Sequence, residues 1–363
     1  MTLRVGLIGY EPRRSWAAIA HAPALRALPG YTVTAVATRR QASADAAAAD
    51  LGIDAAYDSG ARLIDDPRVD LVVITVKVPE HYVLVERALA AGKHVYCEWP
   101  LGNGLAEAIA LAEMARGAKG RAVVGMQARM SPAIDQARTL IAEGYVGQVL
   151  STTLVGSGMQ WGDRVDRPNA YVVDRANGAT MLTIPLGHTV DALCHVLGEF
   201  TSLSAVTALR QPVVTRIDTG EQIRKTAHDQ IVVAGLLESG AVASVHYRGG
   251  VSRGTRLLWE INGSEGDLQI TAEGGHAQIF DTRLAGARGA DRQIVPIASA
   301  PAHRWVPQEL AGPAVNVAQM YARFADDVRN GTRICPDFDD AVRRHRMTAA
   351  IEAAAESGQR QSP

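Results

Sequence analysis

The stretch LVVITVKVPEHYVLVERALAAGKHVYCEWP, residues 71–100, decides the fold. It opens with an apolar, β-branched run over 71–76, which is typical of a buried strand. A helical pattern then covers 81–91 and ends at Gly92, a favourable residue for a helix C-terminus. A second strand-like run, 94–98, follows. This order predicts two parallel strands joined by a right-handed crossover through the helix.

The same alternation of strand and helix extends on both sides of that stretch. Further strand and helix patterns cover 3–9, 15–28, 32–38, 43–51, 105–117 and 122–126. The strand patterns are continuous apolar runs, as expected for a parallel sheet that is covered on both faces. We therefore predict an α/β Rossmann domain, a doubly wound parallel sheet that binds NAD(P), over residues 1–125.

The pattern changes after this first sheet. Alternating apolar and polar runs fill 200–280, and turn signals such as Asn262-Gly263 separate them, which indicates an antiparallel sheet. The segment 286–313 is rich in Ala, Pro and Gly and predicts a loop. We predict an α+β domain for substrate binding and oligomerisation, with an open, mostly antiparallel sheet, over 126–335. A C-terminal helix within 336–363 is expected to pack back near the first domain.

Composition excludes several classes of protein. A chain of 363 residues is too long for one ordinary hydrophobic core, so we expect two domains. The net charge is −1 and no basic patch stands out in the sequence, so we expect no nucleic-acid partner. No apolar run reaches the ~18–20 residues of a membrane span, and no signal-peptide pattern precedes the first strand, so we expect no membrane partner and a cytoplasmic protein. The three cysteines lack CxxC spacing and the ten histidines lack metal-type spacing, so we predict no metal site. The serine-hydrolase motif GxSxG is absent.

The first turn carries a partial dinucleotide motif. Only the first glycine of GxGxxG remains, as Gly9, yet a strand precedes the turn and a helix follows it. This context favours a cofactor site formed by Gly9, Tyr10, Arg14, Ser15 and Trp16. The alternative is that Gly9 merely ends a strand.

The second strand ends in Thr38-Arg39-Arg40. An NAD-selective site usually has an acidic residue there, which binds the ribose 2′-hydroxyl and would repel a 2′-phosphate. A hydroxyl beside guanidinium groups accepts that phosphate instead. We therefore predict NADP or NAD as cofactor, with a slight preference for NADP, bound through Thr38 and Arg39. The alternative is that Arg39 and Arg40 are solvated loop residues.

Several motifs resemble those of the Gfo/Idh/MocA oxidoreductase family, which includes glucose–fructose oxidoreductase and inositol dehydrogenase. The family's TP-x-x-x-H turn, AGKHV and E-K-P correspond to His81, 91–95 and Glu98-Trp99-Pro100. Its entry into the second domain and its H-x-x-D helix correspond to Gln127-Ala128-Arg129, Glu143-Gly144 and Gly187-His188-Thr189-Val190-Asp191. The resemblance implies a Rossmann domain, an open-sheet domain, a sugar-like substrate that meets the cofactor between them, and a homo-oligomer, either a dimer or a tetramer. It adds as cofactor-binding residues Val76, Lys77, His81, Glu98, Trp99 and Gln127.

Two departures from the family pattern concern chemistry. Trp99 replaces the family's lysine, and Ile184 stands where an Asp is usual. Together with Ser15-Trp16-Ala17, they resemble the branch that contains the yeast galactose-regulon repressor, a dinucleotide-binding regulator. We favour an NAD(P)-dependent oxidoreductase that transfers hydride to or from a sugar, polyol or sugar derivative. The alternative is a non-catalytic, dinucleotide-binding regulator.

His188 and Lys77 are the predicted catalytic residues. An imidazole has a pKa near neutrality and can take the hydroxyl proton, and Lys77 follows a strand whose carboxyl end faces the ligand crevice. The alternatives are that His188 bonds to Asp191 and that Lys77 is solvated. Trp99 could stack on a nicotinamide or a sugar, or could be a core aromatic. The predicted substrate-binding residues are Trp99, Arg129, Tyr171, Thr183, His188 and Asp191.

Overall fold

The computed structural model describes residues 2–363, which divide into two compact units. The first unit contains the chain up to Gln127 together with Trp305–Val342, and the second contains Ala128–Arg304 and Arg343–Pro363. The assignment of cofactor binding to one domain and of substrate binding to the other remains a prediction.

The first unit is built on a six-stranded sheet in the order β3-β2-β1-β4-β5-β6. Its strands are Leu3–Ile8, Tyr31–Ala37, Ala55–Tyr57, Leu71–Ile74, His94–Glu98 and Ala122–Gly125, from β1 to β6. All neighbouring strands are parallel, and the strand order reverses between β1 and β4. The predicted Rossmann sheet is confirmed, and this reversal point is where such sheets bind ligands.

The helices of this unit run between the strands. They are Ala22–Arg26, Gln41–Leu51, Gly60–Ile64, His81–Ala90 and Leu105–Gly117, from α1 to α5. The predicted helix over 15–28 divides into a π-helical turn, Ala17–His21, and α1. Neither β3 nor α3 was predicted, because three and five residues are too few to display a hydrophobic period.

The buried core of the first sheet explains why its strands read as apolar runs. All four residues of β4 are fully buried, since helices pack on both faces of the sheet. A hydrophobic cluster joins β4 and β5 to α4 and α5, and it includes Val85, Val95 and Leu111. This packing fixes the carboxyl ends of the strands, where the candidate site lies.

The second unit contains an eight-stranded sheet and a small three-stranded sheet. From β7 to β17 the strands are Val149–Gly158, Arg164–Val165, Phe200–Ala208, Val213–Arg216, Gln222–Arg224, Gln230–Leu237, Val242–Gly249, Leu257–Gly263, Gly266–Ala272, Thr282–Arg288 and Val295–Pro296. The large sheet has the order β17-β16-β15-β14-β7-β13-β12-β9, and only β7 and β13 pair in parallel. The mostly antiparallel sheet is confirmed, although β16 and β17 extend into the predicted loop.

This large sheet has one covered face and one open face. Along β12, buried and exposed residues alternate: Ile231 and Val233 are buried, and the residues that follow each of them, Val232 and Ala234, are exposed. The helices Pro132–Ala142 (α6) and Gly187–Leu197 (α7) belong to this unit, and α6 packs against α7, β15 and β16. The alternation follows the two-residue period of a strand that is half buried.

The last part of the chain forms α8, Ala314–Asn330, and α9, Phe338–Ser357. The helix α8 packs against α1 and the π-helical turn, and the Val124 N–H donates to the Pro336 carbonyl at 3.0 Å beside β6. Residues 305–335 are thus grouped with the first sheet, whereas the sequence placed them with the second, because local periodicity does not report which surface a helix covers. No helix within residues 2–363 is both long and apolar enough to cross a membrane.

Candidate functional site

The first turn of the Rossmann unit lies where β1, β2 and β4 end together. Gly9 has a φ of +104°, and its N–H donates to the Ala37 carbonyl at 3.0 Å. A Cβ atom at this position would lie 3.0 Å from Thr75 Oγ1 and from Val76 Cγ1. Glycine is therefore required here by both its conformation and the close approach of the β4 exit.

Side chains of the turn hold its shape. The Ser15 hydroxyl accepts the backbone N–H groups of Glu11 and Ala18, at 2.8 and 3.2 Å. The Tyr10 hydroxyl donates to Asp50 at 2.5 Å, and burial together with this bond raises the pKa of Tyr10 to about 12. Arg14 is exposed and lies 3.6 Å from Glu11. Ser15 and Tyr10 thus stabilise the turn, while Arg14 reaches solvent.

The π-helical turn that follows carries an extra residue in its winding, a feature that is frequent at functional sites. Trp16 stands at its start, and the indole Nε1 is buried with no hydrogen-bond partner within residues 2–363. A buried indole N–H usually has a partner, so this unsatisfied donor makes Trp16 a candidate ligand contact.

The exits of β2 and β4 carry the other predicted contacts at this edge. Thr38 Oγ1 lies 2.7 Å from Ser43 Oγ, so it helps to hold the start of α2. Arg39 is exposed, and its Nη1 lies 3.8 Å from Glu80 Oε1. Lys77 is exposed and precedes the short 3₁₀ helix Val78–Glu80. The structure places all of these on the carboxyl edge of the sheet.

His81 is buried beneath this edge. Its Nε2 lies 3.0 Å from the Val76 carbonyl and its Nδ1 lies 2.8 Å from the Pro100 carbonyl. Burial lowers the pKa of His81, and a neutral imidazole donates to one of these oxygens at a time. The side chain therefore ties the β4 exit to the β5 exit, and its predicted contact with the cofactor remains a prediction.

Glu98, at the end of β5, is the centre of a buried polar network. Its carboxylate accepts from Gln127 Nε2 at 2.6 and 2.8 Å, and His21 Nε2 lies 2.9 Å away. His21 Nδ1 in turn lies 2.7 Å from the Tyr321 hydroxyl, and Gln127 also donates to Tyr96. Sequence reasoning found Glu98 and Gln127 but missed the other three, because no local motif marks His21, Tyr96 or Tyr321.

Trp99 lies in the hydrophobic core of the first unit. Its side chain is 4% exposed and belongs to the same buried cluster as Leu101 and Met126. The indole thus seals the end of β5, which is the core alternative considered for the sequence. Its stacking on a nicotinamide or a sugar remains a prediction.

The first unit fits a dinucleotide. Gly9 allows close approach of a pyrophosphate, Trp16 Nε1 is a buried donor without a partner, and Gln127 Oε1 is a buried acceptor without a partner among residues 2–363. One donor and one acceptor at the carboxyl edge suit a ligand that carries both, as an amide does. The residues that would hold the cofactor are therefore the turn 9–16, the β2 exit and Gln127.

In the second unit, the segment before His188 is locally constrained. A π-helical turn, Leu182–Leu186, leads into α7, where His188 is 3% exposed. The Thr183 hydroxyl accepts the Thr180 N–H at 2.8 Å and donates to the Gly178 carbonyl at 2.7 Å. Burial raises the pKa of Tyr171. Thr183 therefore shapes the turn that presents His188.

Asp191 is fully buried between two arginines. Arg129 forms a bidentate pair with it, at 2.8 and 2.5 Å, and Arg344 Nε lies 3.3 Å from the same carboxylate. Arg344 also donates to Glu199 at 2.5 Å. Although burial would raise it, the charge and hydrogen bonds of Arg129, together with the charge of Arg344, lower the pKa of Asp191. Asp191 and Arg129 are thus bonded within their own unit, and their contact with a substrate remains a prediction.

His276 is a second buried histidine that sequence reasoning missed. Its ring stacks on Trp161 at a centroid distance of 5.9 Å, and the Met159 N–H donates to its Nε2 at 3.4 Å. Burial and the nearby charge of His188 lower the pKa of His276 to about 3. No sequence motif links positions 188 and 276, so the electrostatic interaction of the two histidines becomes apparent only in the folded structure.

The fold and these features define a two-unit protein with a nucleotide-binding Rossmann sheet. Residues 3–126 match the model of the oxidoreductase family with an NAD-binding Rossmann fold, and residues 132–272 match the C-terminal domain of Gal80p. The chain belongs to this oxidoreductase family, Gfo/Idh/MocA, and its second part is of the Gal80-like type.

The relatives include both enzymes and regulators. Dehydrogenase aclE from Aspergillus oryzae is 30% identical over 342 residues, which cover 91% of this chain and 88% of that protein. The galactose/lactose metabolism regulatory protein GAL80 from Kluyveromyces lactis is 30% identical over 303 residues, 78% of this chain and 66% of that protein. Levoglucosan dehydrogenase from Pseudarthrobacter phenanthrenivorans is 24% identical and covers 99% of this chain and 97% of its own length. A solved levoglucosan dehydrogenase in complex with NADH and levoglucosan shares the fold, with a TM-score of 0.87, 22% identity and coverage of 100% and 99%.

Proposed function

We propose that this protein is an NAD(P)-dependent oxidoreductase that acts on a CH–OH group of a sugar, polyol or sugar derivative. The observation that supports the proposal is the carboxyl edge of the Rossmann sheet, where Gly9 leaves room for a pyrophosphate and where Trp16 Nε1 and Gln127 Oε1 are buried polar atoms without a partner within residues 2–363. The likeness to dehydrogenase aclE over most of both chains supports the reaction class, and the likeness to levoglucosan dehydrogenase supports a sugar-like substrate.

The chemistry divides between the nucleotide and this chain's own residues. When bound, the nicotinamide supplies a hydride acceptor or donor. We propose that His188 accepts the proton of the substrate hydroxyl during oxidation and returns it during reduction, because its buried position on α7 keeps the imidazole in a fixed orientation. We assign to Lys77 a contact to cofactor or substrate at the β4 exit, in place of the lysine that Trp99 replaces.

The test is a screen of sugars and polyols with NAD and NADP, followed by His188→Ala and Lys77→Ala. General acid–base catalysis contributes about 10²–10⁴-fold, so we expect His188→Ala to lower kcat by that factor. His195→Ala on the same helix and Lys119→Ala, an exposed lysine after α5, are the matched controls. Turnover that survives both test substitutions would show that the assigned residues are wrong.

One structural observation favours the second candidate, a dinucleotide-binding regulator. Trp99 fills the lysine position as a core residue, and Ile184 replaces the usual Asp, so two polar groups of the family's chemistry are missing. The likeness to GAL80 gives this candidate its class. The regulator is supported if no substrate reduces or oxidises either nucleotide while a bound nucleotide changes the affinity for a protein partner.

We also propose a cytoplasmic homo-oligomer, a dimer or a tetramer. Apolar residues are exposed on the strands of the large sheet, among them Leu150, Val206, Val232 and Val242, and an open sheet face of this kind suits a second copy. For the location, the observation is that all three cysteines are buried free thiols and none forms a disulfide. Free thiols are usual in proteins of reducing compartments such as the cytoplasm. A light-scattering mass of one chain, or a mass that Val232→Glu leaves unchanged, contradicts the assembly. Cell fractionation tests the location.

A further inference from the structure

Tyr247, near the end of β13, is a fully buried tyrosine whose hydroxyl contacts two other segments of the second unit. The hydroxyl donates to Thr189 Oγ1 on α7 at 2.6 Å, and it lies 2.9 Å from the Gly275 carbonyl. Thr189 directly follows His188 in the chain, and Gly275 directly precedes His276. One hydroxyl therefore connects the two segments that carry these histidines.

Two glycines fix the place of the tyrosine ring and of its second partner. Gly156, on β7, is the register partner of Tyr247, and a Cβ atom there would overlap the tyrosine ring. A Cβ atom at Gly275 would overlap the Ser157 carbonyl, so the backbone at position 275 lies directly against β7. Interiors packed this closely do not absorb an added methyl group without a shift. The position of the Tyr247 hydroxyl is thus set by the backbone of the sheet.

Thr189 transmits this contact to the start of α7. Its hydroxyl donates to the Pro185 carbonyl at 2.9 Å, in the π-helical turn before the helix, and it accepts from Tyr247. A threonine hydroxyl has one hydrogen and two acceptor positions, so the two bonds do not compete. Burial raises the pKa of Tyr247, so the tyrosine keeps the hydrogen that it donates. The two bonds therefore hold the chain on both sides of His188, at positions 185 and 189.

We propose that Tyr247 is a positioning residue for His188: its hydroxyl holds the first turn of α7, and with it the imidazole, in the orientation needed to exchange a proton with the substrate hydroxyl. Tyr247 acts through Thr189 and not on the substrate itself. A base that is rotated or displaced loses much of its effect, because proton transfer needs a short and aligned contact. The inference rests on the oxidoreductase proposed above, and it adds the residue that orients its base.

Steady-state kinetics of the full-length Tyr247→Phe variant is the first test. This change keeps the aromatic ring and removes only the hydroxyl. We expect kcat to fall by about 10–100-fold, which is less than the loss for His188→Ala at its upper end, because the base remains but is misaligned. The KM of the nucleotide should stay unchanged, since the residues assigned to the nucleotide belong to the first unit.

Variants of Thr189 show whether the two hydroxyl groups act as a unit. Thr189→Val keeps the shape of the side chain and removes its hydroxyl, so it should lower kcat as Tyr247→Phe does. The double variant should lose little more than either single variant, because both changes remove the same contact. Thr189→Ser keeps the hydroxyl and should retain most of the wild-type kcat.

A buried hydroxyl elsewhere in the same sheet is the matched control. Thr152, on β7, donates to the Glu260 carbonyl and accepts the Trp259 indole N–H, both at 2.8 Å. Thr152→Val should lower the unfolding free energy about as much as Thr189→Val does, and it should leave the kcat of the folded protein unchanged. Urea denaturation measures the unfolding free energy. An equal fall of kcat in the two valine variants would show a general loss of stability and would overturn the inference.

Nuclear magnetic resonance of the full chain with isotope-labelled histidine tests the inference without a substrate. The ring nitrogen shifts report which nitrogen carries the proton, and this depends on the contacts that the ring makes. The His188 signals are assigned by their absence in His188→Ala. At one fixed alkaline pH, Tyr247→Phe should change the tautomer populations of His188 and leave those of His94, in the first unit, unchanged.

The outcomes separate this inference from the proposed function. If no substrate is turned over but the His188 signals change as expected, the oxidoreductase proposal fails and the positioning role stands. If a substrate is turned over, a kcat of Tyr247→Phe within about 2-fold of the wild type overturns the positioning role alone. Additive losses in the double variant, or His188 signals that Tyr247→Phe leaves unchanged, also overturn it.

Discussion

Two carboxylates, Glu98 and Asp191, show that the two units compensate a negative charge in different ways. Glu98, in the first unit, is 13% exposed and is held by the imidazole of His21 and the amide of Gln127. Asp191, in the second unit, is fully buried and lies between the guanidinium groups of Arg129 and Arg344. A buried charge must be compensated, and only Asp191 is compensated by two permanent opposite charges.

The difference separates a fully compensated charge from a polar network that leaves one buried atom without a partner. Both oxygens of Asp191 lie against arginines of its own unit, so the carboxylate fixes α7 and the last helix together. The Glu98 network is incomplete at its edge, because the amide that binds Glu98 leaves Gln127 Oε1 as a buried acceptor without a partner within residues 2–363. Two predictions test this comparison directly, and a third tests a buried histidine of the second unit.

The largest effect is expected when Asp191 is removed. Asp191→Ala leaves the buried guanidinium of Arg129 without its carboxylate, whereas Arg344 keeps Glu199, and loss of one member of a buried ion pair costs about 3–5 kcal/mol of unfolding free energy. Urea denaturation followed by circular dichroism measures it. The exposed pair Arg283–Glu273 is the control, and Arg283→Ala should give no measurable change. A loss below about 1 kcal/mol for Asp191→Ala would remove the stabilising role.

A smaller effect is expected from His276 as the pH falls. Its pKa is about 3 in the folded protein, against the ordinary value of about 6.5 that applies to the unfolded chain, so the folded state resists the proton that the unfolded state takes up. This contribution to stability is fully present above pH 6.5 and falls below it by about 1.4 kcal/mol per pH unit until the folded pKa is reached. Asp191, with a lowered pKa, loses its contribution only in more acidic solution.

Denaturation of the wild type and of His276→Asn between pH 7 and 5.5 measures this difference. The wild type should lose roughly 1 kcal/mol more than the variant over this range. Other histidines with a lowered pKa, such as the half-buried His195 and the buried His345, remain in both proteins and cancel in the comparison. Equal pH dependence of the two proteins would show that His276 takes up a proton in the folded state.

The smallest change in stability is expected for Glu98→Gln. An amide keeps the shape and one acceptor for His21, so we expect a loss of about 1 kcal/mol. The Gln127 side chain loses a charged partner and its orientation, so nucleotide affinity should fall several-fold while unfolding changes little. Calorimetry and urea denaturation separate the two, with the exposed Glu86→Gln as control. A loss as large as that for Asp191→Ala would erase the distinction between the two carboxylates.

Much of this arrangement was predictable from the order of residues along the chain. The Rossmann sheet follows from continuous apolar runs between helical patterns, and β5 and α5 have the predicted limits. The nucleotide turn follows from Gly9 and its position after β1. These features are local, since a strand is indicated by a pattern over about 4–8 neighbouring residues and a helix by one over about 11–18.

The partners of the buried charges could not be predicted in this way. Arg344 and Asp191 are in contact although they are 153 residues apart in the sequence, and Tyr321 and His21 are in contact although they are 300 residues apart. The sequence alone is compatible with Trp99 as a ligand contact or as a core residue. Only its packing with Leu101 and Met126 in the structure places it in the core.

The sequence by itself determined the two kinds of sheet, the nucleotide edge and the family, because hydrophobic period, turn residues and motif spacing are written in neighbouring positions. Only the tertiary structure decided which polar residues are bonded internally, as Asp191 and Arg129 are, and which leave a buried atom without a partner within residues 2–363, as Trp16 and Gln127 do. The physical reason is that burial and compensation of a charge depend on side chains that lie far apart in the chain and meet only when it folds.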